Sequence, residues 1–311
     1  MRRSRADLGA LSQKTAIEIG ARGIFRWERA PGRCRVSCGR FGLRMSGVLV
    51  SSAGVEIPAK FNVLGVGVHA LRFAQARELA LARARERHGG YVCFCDVNSV
   101  SCARRDAAHR ARLAGAFLVA PDGMPLVWMG RRQMGRGAVE RVYGPDLMLA
   151  LCAENGVSHF FYGGGAGVAE LLAEKLGARF PGLRVAGAMT PPFHELDEAE
   201  LAVLAARVAM LRPDFFWVGL GAPKQEKFMA RFAPRVSGAG TVLLGVGAAF
   251  DFLSGRVRQA PRWLRQGGLE WVYRLCAEPR RLAPRYFKNN PLFAARALAQ
   301  ACGARKYPLG E

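Results

Sequence analysis

The sequence predicts an α/β fold: a mostly parallel, doubly wound sheet with helices on both faces, followed by a basic and aromatic helical appendage. Three observations predict it. From Phe61 onward, short apolar runs alternate with longer stretches whose apolar residues recur at helical spacing. Most of the short runs end in glycines or small polar residues, as strands do when they feed a crossover helix. Of the 311 residues, 50% are hydrophobic, enough for one large core or two modest ones.

The elements follow in order. FNVLGVGV (residues 61–68) reads as a strand ending in glycines, and residues 71–87 as a helix stopped by Gly89 and Gly90. YVCFCDVNSV reads as a strand, residues 103–114 form a helix, and AFLVAPDG is a strand and turn before the next apolar segment, Leu126–Trp128. Residues 144–156 form a helix with Pro145 near its start and a glycine stop. Residues 159–182 are strand, glycine loop and helix, and RVAGAMTPPF is a strand and loop. Residues 197–213 form a helix, and two further strand–loop units start at Asp214 and Thr241. Strands alternating with helices give a Rossmann-like, mostly parallel sheet. Three regions result: a basic, flexible leader over 1–55, an α/β domain over 56–254, and the appendage and tail over 255–311. Met45 stands as a second candidate start.

Composition narrows the function. The net charge is +22, and the excess sits at both ends of the chain. Such a field suits a polyanion: nucleic acid, an anionic lipid surface or a phosphorylated substrate. The eight cysteines lack paired CxxC elements or nearby histidines, so they read as reduced core residues of a cytosolic protein, with no metal site. No apolar run approaches the ~20 residues that span a bilayer, and the N-terminus lacks the apolar core of a secretory signal. Membrane contact is expected to be peripheral.

In doubly wound sheets ligands bind beyond the carboxyl ends of the strands. The residues there are Asp96 and Asn98, Asp122, Gly163–Gly167, Thr190, Gly219–Gln225 and Gly245–Asp251. In AFLVAPDGMPLVWMG, Asp122 occupies a Pro-Asp-Gly turn, a common turn sequence that here borders the interior on both sides. Gly163, Gly164 and Gly165 lie between a strand and a helix start, where backbone N–H groups hold phosphate or where glycine serves tight packing. The spacing matches neither a dinucleotide fingerprint nor a Walker lysine loop. In VGLGAPKQEKF, Gly221, Lys224, Gln225 and Glu226 gather at a helix start as candidate contacts to a polar ligand. Residues 255–287 interleave tryptophans and tyrosine with arginines, a pattern that stacks on bases or lies at a lipid headgroup layer. A dinucleotide-dependent enzyme and a basic nucleic-acid-binding protein are the rival classes.

CDVNSV, APDGMPLVW, ERVYGPDL, FFYGGGAGVAELL, PDFFWVGLGAPKQEKF, GVGAAFDFLSG and GLEWVYRLCAEPRR together resemble the WecG/TagA/CpsF family of bacterial glycosyltransferases, glycosyltransferase family 26. The resemblance runs from about Phe61 to Phe287. It implies an inverting, metal-independent glycosyltransferase without cofactor, moving a sugar from a UDP-sugar to a polyprenyl-diphosphate-linked acceptor in cell-surface or exopolysaccharide biosynthesis. It also implies attachment to the inner face of the cytoplasmic membrane through anionic lipid, self-association, no nucleic-acid partner, and an appendage that completes the active site. The base falls on Asp122, with Asn98 and Asp96 beside it as catalytic residues. Arg141, after Glu140, joins Gln225 in donor binding, and Arg274, Arg281 and Arg285 fall on the diphosphate. The sequence departs from the family twice: Asp96 replaces a threonine, and Gln259 replaces the arginine of an Arg-Ala-Pro motif, leaving Arg258 one place earlier to reach the phosphate.

Overall fold

The computed structural model describes residues 26–30, 33–37 and 56–310. The chain divides into two compact units, Met1–Val48 and Leu49–Glu311. In the first, β1 (Arg26–Ala30) pairs antiparallel with β2 (Arg33–Ser37). The rest of the predicted leader, with Met45, lies outside the described residues.

The second unit runs β3 (Lys60–Val63), β4 (Val66–His69), α1 (Phe73–Arg85), β5 (Gly90–Cys95), α2 (Val97–Ala103), α3 (Ala107–Ala114), β6 (Leu118–Pro121), α4 (Met124–Met134), α5 (Gly144–Cys152), β7 (Ser158–Gly163), α6 (Val168–Arg179), β8 (Arg184–Met189), α7 (Glu198–Leu211), β9 (Phe215–Gly219), α8 (Lys224–Phe232), β10 (Val242–Gly245), α9 (Ala249–Leu253), α10 (Arg262–Gln266), α11 (Glu270–Ala277) and α12 (Pro279–Ala301). β5 to β10 form one six-stranded sheet in the order β6-β5-β10-β9-β7-β8, with every neighbouring pair parallel. The predicted α/β sheet and helical C-terminal region are therefore present.

A parallel sheet covered on both sides has no polar face, and its strands are apolar at successive positions. Along β9, Phe215 and Trp217 face one core while Phe216 and Val218 face the other. β5 does the same with Val92 and Phe94 against Cys93 and Cys95. One core is closed by α1, α5 and α6, and the other by α2, α3, α7 and α8. In the second, Phe160 stacks on Phe216 at 4.9 Å and Phe216 meets Phe232 at 5.5 Å. Asp106 caps α3, and Asp197 with Glu200 forms a capping box on α7, satisfying N–H groups the helices cannot satisfy internally.

Three expectations are corrected. YVCFCDVNSV is strand only as far as Cys95, because Asp96 caps the helix α2 that begins at Val97. FNVLGVGV is not one strand but the hairpin β3–β4, because Leu64 (φ 53°) and Gly65 (φ 90°) turn left-handed between them. This hairpin shields the sheet edge: the buried His69 accepts the Val119 N–H of edge strand β6 through Nδ1 at 2.9 Å. Burial lowers the His69 pKa to about 4, so the ring stays neutral and able to accept. The cysteines are not uniformly internal either. Cys93, Cys95 and Cys152 are buried, whereas Cys276 and Cys302 are exposed.

The C-terminal helices are anchored on the elements around the sheet. α12 buries Leu282, Tyr286 and Phe293, and its Asn289 donates to Asn98 at 3.2 Å while accepting from Arg105 at 3.0 Å. Further along, Gln300 accepts the Leu64 N–H at 2.9 Å. Among the described residues, no helix is long and apolar enough to cross a membrane.

Candidate active site

The carboxyl ends of β5, β6, β9 and β10, four adjacent strands, open into a cavity of about 910 Å³ roofed by α4 and α10–α12. Asp96 and Asn98, Asp122, Gly221, Lys224 and Gln225 line it, together with Arg274, Arg281 and Arg285 from the C-terminal helices. Residues 189 positions apart in the chain, from Asp96 to Arg285, thus share one space.

Asp122 is held by its own turn. The N–H groups of Asp122 and Gly123 both donate to the Cys95 carbonyl at the end of β5, at 3.0 and 3.3 Å. A Cβ on Gly123 would lie 3.3 Å from Asp96 Cα, tighter than most such contacts, so glycine lets the turn press closely on the neighbouring strand end. The main-chain oxygen of Asp122 accepts from Arg141 Nε at 2.5 Å, and Oδ1 accepts from Arg141 Nη2 at 3.3 Å. Burial pushes the Asp122 carboxyl up to about 7; Arg141 opposes the rise, while Glu270 and Asp96 add to it.

Arg141 is shared. Its Nη2 also donates to Glu270 Oε2 at 2.7 Å, and its Nη1 donates to the Arg265 carbonyl at 3.1 Å. Tyr143 donates its hydroxyl to Glu270 Oε1 at 2.9 Å, accepts from Gln259 Nε2 at 3.0 Å, and has the Arg141 guanidinium carbon 4.1 Å from its ring centroid. A continuous chain thus runs Gln259–Tyr143–Glu270–Arg141–Asp122, and four of its members belong to no strand-end loop.

The cavity has two further characters. One wall is cationic, with Lys224, Arg274, Arg281 and Arg285. The Nε atoms of Arg274 and Arg285 are buried without a hydrogen-bond partner, an arrangement that favours an incoming anion. Another limb, between α4 and α12, is apolar: Met124, Trp128, Met129, Phe293, Ala297 and Leu298.

Residues 61–307 match the model of a family described as Glycosyl transferase WecG/TagA/CpsF family. The chain belongs to this family. Two relatives carry the name N-acetylglucosaminyldiphosphoundecaprenol N-acetyl-beta-D-mannosaminyltransferase. One, from Bacillus subtilis (strain 168), is 30% identical over 197 residues, 62% of this chain and 74% of the relative. The other, from Bacillus spizizenii (strain ATCC 23059 / NRRL B-14472 / W23), is 32% identical over 199 residues, 63% and 74% of the two chains. The protein is a glycosyltransferase, and its relatives are named for transfer to a polyprenyl-diphosphate-linked sugar.

The glycosyltransferase does not bring every predicted residue to this cavity. Gly163, Gly164 and Gly165 fall outside its lining, because β7 is not among the four strands beneath it. Gly163 and Gly164 pack closely on the end of β9: a Cβ on Gly163 would lie 2.4 Å from Gly219 Cα, and the Gly164 N–H bonds the Gly219 carbonyl at 3.0 Å. Arg258 is exposed and outside the lining. Glu140 turns away from Arg141 and caps the start of α1, accepting the Phe73 N–H at 3.0 Å. Glu226 is fully buried behind Gln225, accepting from its amide at 3.2 Å, and burial pushes its carboxyl up to about 7. Gln225 itself bridges two strand-end loops, donating to the Gly245 carbonyl at 2.8 Å and accepting from the Gly221 N–H at 3.2 Å.

Asp96 has a local task. Its Oδ1 accepts from the Ser99 N–H at 2.7 Å and the Ser99 hydroxyl at 3.0 Å, capping α2. Asp96→Ala is therefore expected to cost about 1 kcal/mol in urea unfolding, while Asp96→Asn, also a good cap, stays close to the parent. Equal stability of all three proteins would count against the cap. Sequence reasoning missed Glu270 and Tyr143, although both lie inside quoted motifs. A glutamate opening a helix is ordinary, and only its arrival beside Arg141 marks it.

Proposed function

We propose that this glycosyltransferase moves a sugar from a UDP-sugar to a polyprenyl-diphosphate-linked acceptor with inversion, using Asp122 as base and no metal. The observation that carries the proposal is the cavity's threefold division: a carboxylate on a fixed turn, a wall of arginines, and an apolar limb. The acceptor hydroxyl oxygen forms its bond to the anomeric carbon as the bond from that carbon to the donor's β-phosphate oxygen breaks. The hydroxyl proton passes to the Asp122 carboxylate. The departing UDP takes the electron pair, and Arg274, Arg281 and Arg285 stabilise its growing charge in place of a metal ion.

The relatives' name supports a lipid-diphosphate sugar as acceptor and a β-linked product. The apolar limb between α4 and α12 suits the lipid portion of such an acceptor. On the C-terminal helices, Trp263 (69% exposed) and Phe287 (71% exposed) stand among arginines, the composition of a segment lying at an anionic membrane surface.

The test is incubation with a panel of UDP-sugars and an N-acetylglucosaminyl-diphosphate polyprenol, with and without EDTA. Product is expected with one donor, with undiminished rate in EDTA. Arg274→Ala and Arg285→Ala are each expected to lower kcat by about 10²-fold, the loss typical of one transition-state donor. Absence of product with every donor overturns the substrate assignment, and inhibition by EDTA overturns the metal-independent mechanism.

A further inference from the structure

Glu270 is not a strand-end residue; it arrives on α11, from the helices that follow the α/β sheet. Both of its carboxylate oxygens are engaged, Oε1 by the Tyr143 hydroxyl and Oε2 by Arg141. Arg141 is fixed equally firmly. Nε is committed to the Asp122 main chain, Nη1 to the Arg265 main chain, and the guanidinium carbon stands over the Tyr143 ring. Only Nη2 is divided between carboxylates, at 2.7 Å from Glu270 and 3.3 Å from Asp122. The shorter bond goes to the residue that does no chemistry in the proposed reaction.

We propose that Glu270 is a positioning residue: by drawing the Arg141 guanidinium to itself, it keeps Asp122 from being locked in a tight ion pair and so sets its strength as a base. This rests on the reading of Asp122 as base given above. The reason is electrostatic. A carboxylate bound closely to arginine holds its charge comfortably and takes up a proton reluctantly. A second carboxylate on the same guanidinium weakens that hold and adds like-charge repulsion.

The groups facing Asp122 come from three directions. Arg141 and Tyr143 precede α5, Asp96 and Cys95 lie at the end of β5, and Glu270 lies on α11. Of the two acidic neighbours, Asp96 is occupied with capping α2, whereas Glu270 shares the cation directly. The C-terminal helices therefore contribute more than a wall. They deliver the carboxylate that tunes the base.

The experiment compares the parent with Glu270→Gln and Glu270→Asp, each checked for folding by thermal melt. Two readouts are taken. The first is the pH profile of kcat in sugar transfer. The second is direct titration of the Asp122 carboxyl by carbon-13 NMR, which needs no turnover. In Glu270→Gln the acid limb and the NMR midpoint are both expected to move to lower pH by roughly one unit, with a reduced kcat plateau. Glu270→Asp, which keeps the charge, is expected to restore part of the shift. An unmoved NMR midpoint in Glu270→Gln overturns the inference, whatever happens to the rate. A uniform loss at all pH values without a shift does the same, since that is what a purely structural anchor would give. Asp122→Asn separates the two claims: if it remains active the base assignment fails, while the NMR titration still decides what Glu270 does to Asp122.

Discussion

Asp122→Asn is expected to lower kcat by about 10²- to 10⁴-fold, the usual contribution of a positioned base, while donor binding and fold are kept. The substitution is nearly isosteric, and the turn that holds residue 122 depends on main-chain bonds to Cys95 that asparagine also makes. Arg141 keeps both its Glu270 partner and the main-chain oxygen of residue 122. The parent's rate should rise with pH through a midpoint near 7, because the base acts only when ionised and its carboxyl is pushed up to about 7. Stability runs the other way. The group titrates near 3.8 when unfolded and near 7 when folded, so the folded state binds more protons between those values and Asp122 ionisation costs stability as pH rises. Asp122→Asn should therefore gain stability relative to the parent between pH 5 and pH 8, read by urea unfolding at both. Retention of near-parental turnover would remove Asp122 from the mechanism. A stability difference that shrinks with rising pH would contradict the burial argument.

The second large effect is on folding. Gly163→Ala is expected to destabilise the protein by on the order of 3 kcal/mol, the top of the range for overpacking, because strain is added at a backbone φ of 153°. No side chain can yield here: the added methyl would meet Gly219 Cα, main-chain nitrogen and carbonyl carbon at 2.4, 2.5 and 2.8 Å. β7 and β9 would have to part where Gly163 pairs with Gly219. Thermal melts and donor KM, measured on the fraction that stays folded, separate packing from ligand binding. A large fall in melting temperature with unchanged KM is expected. Parental stability with a tenfold rise in KM would return these glycines to the donor site.

How much of this was legible in the sequence differs from part to part. Asp122 is legible because a Pro-Asp-Gly turn after an apolar run places a carboxylate at a strand's carboxyl end, and nothing distant is needed to put it there. Asp96 is legible as a strand-end residue, but its cap on α2 follows only from the helix beginning at Val97. FNVLGVGV misleads because its Leu-Gly pair turns left-handed, a conformation leucine seldom adopts. The glycine loop is ambiguous in another way. Phosphate cradles and close strand contacts both call for glycine, and sequence spacing does not separate them.

The sequence by itself determined the α/β architecture, the two-sided core, the basic helical C-terminus, the family and the carboxylate at the end of β6. Each follows from local periodicity, from turn chemistry, or from motifs contiguous in the chain. Tertiary structure alone decided which strand ends share the cavity, since only strand order makes β5, β6, β9 and β10 adjacent and leaves β7 aside. It alone joined Glu270 to Arg141 across 129 residues, and Asn289 to Asn98 across 191. Burial and charge pairing depend on what arrives from elsewhere in the fold. The strength of Asp122 as a base is therefore written in its neighbours, not in the turn that carries it.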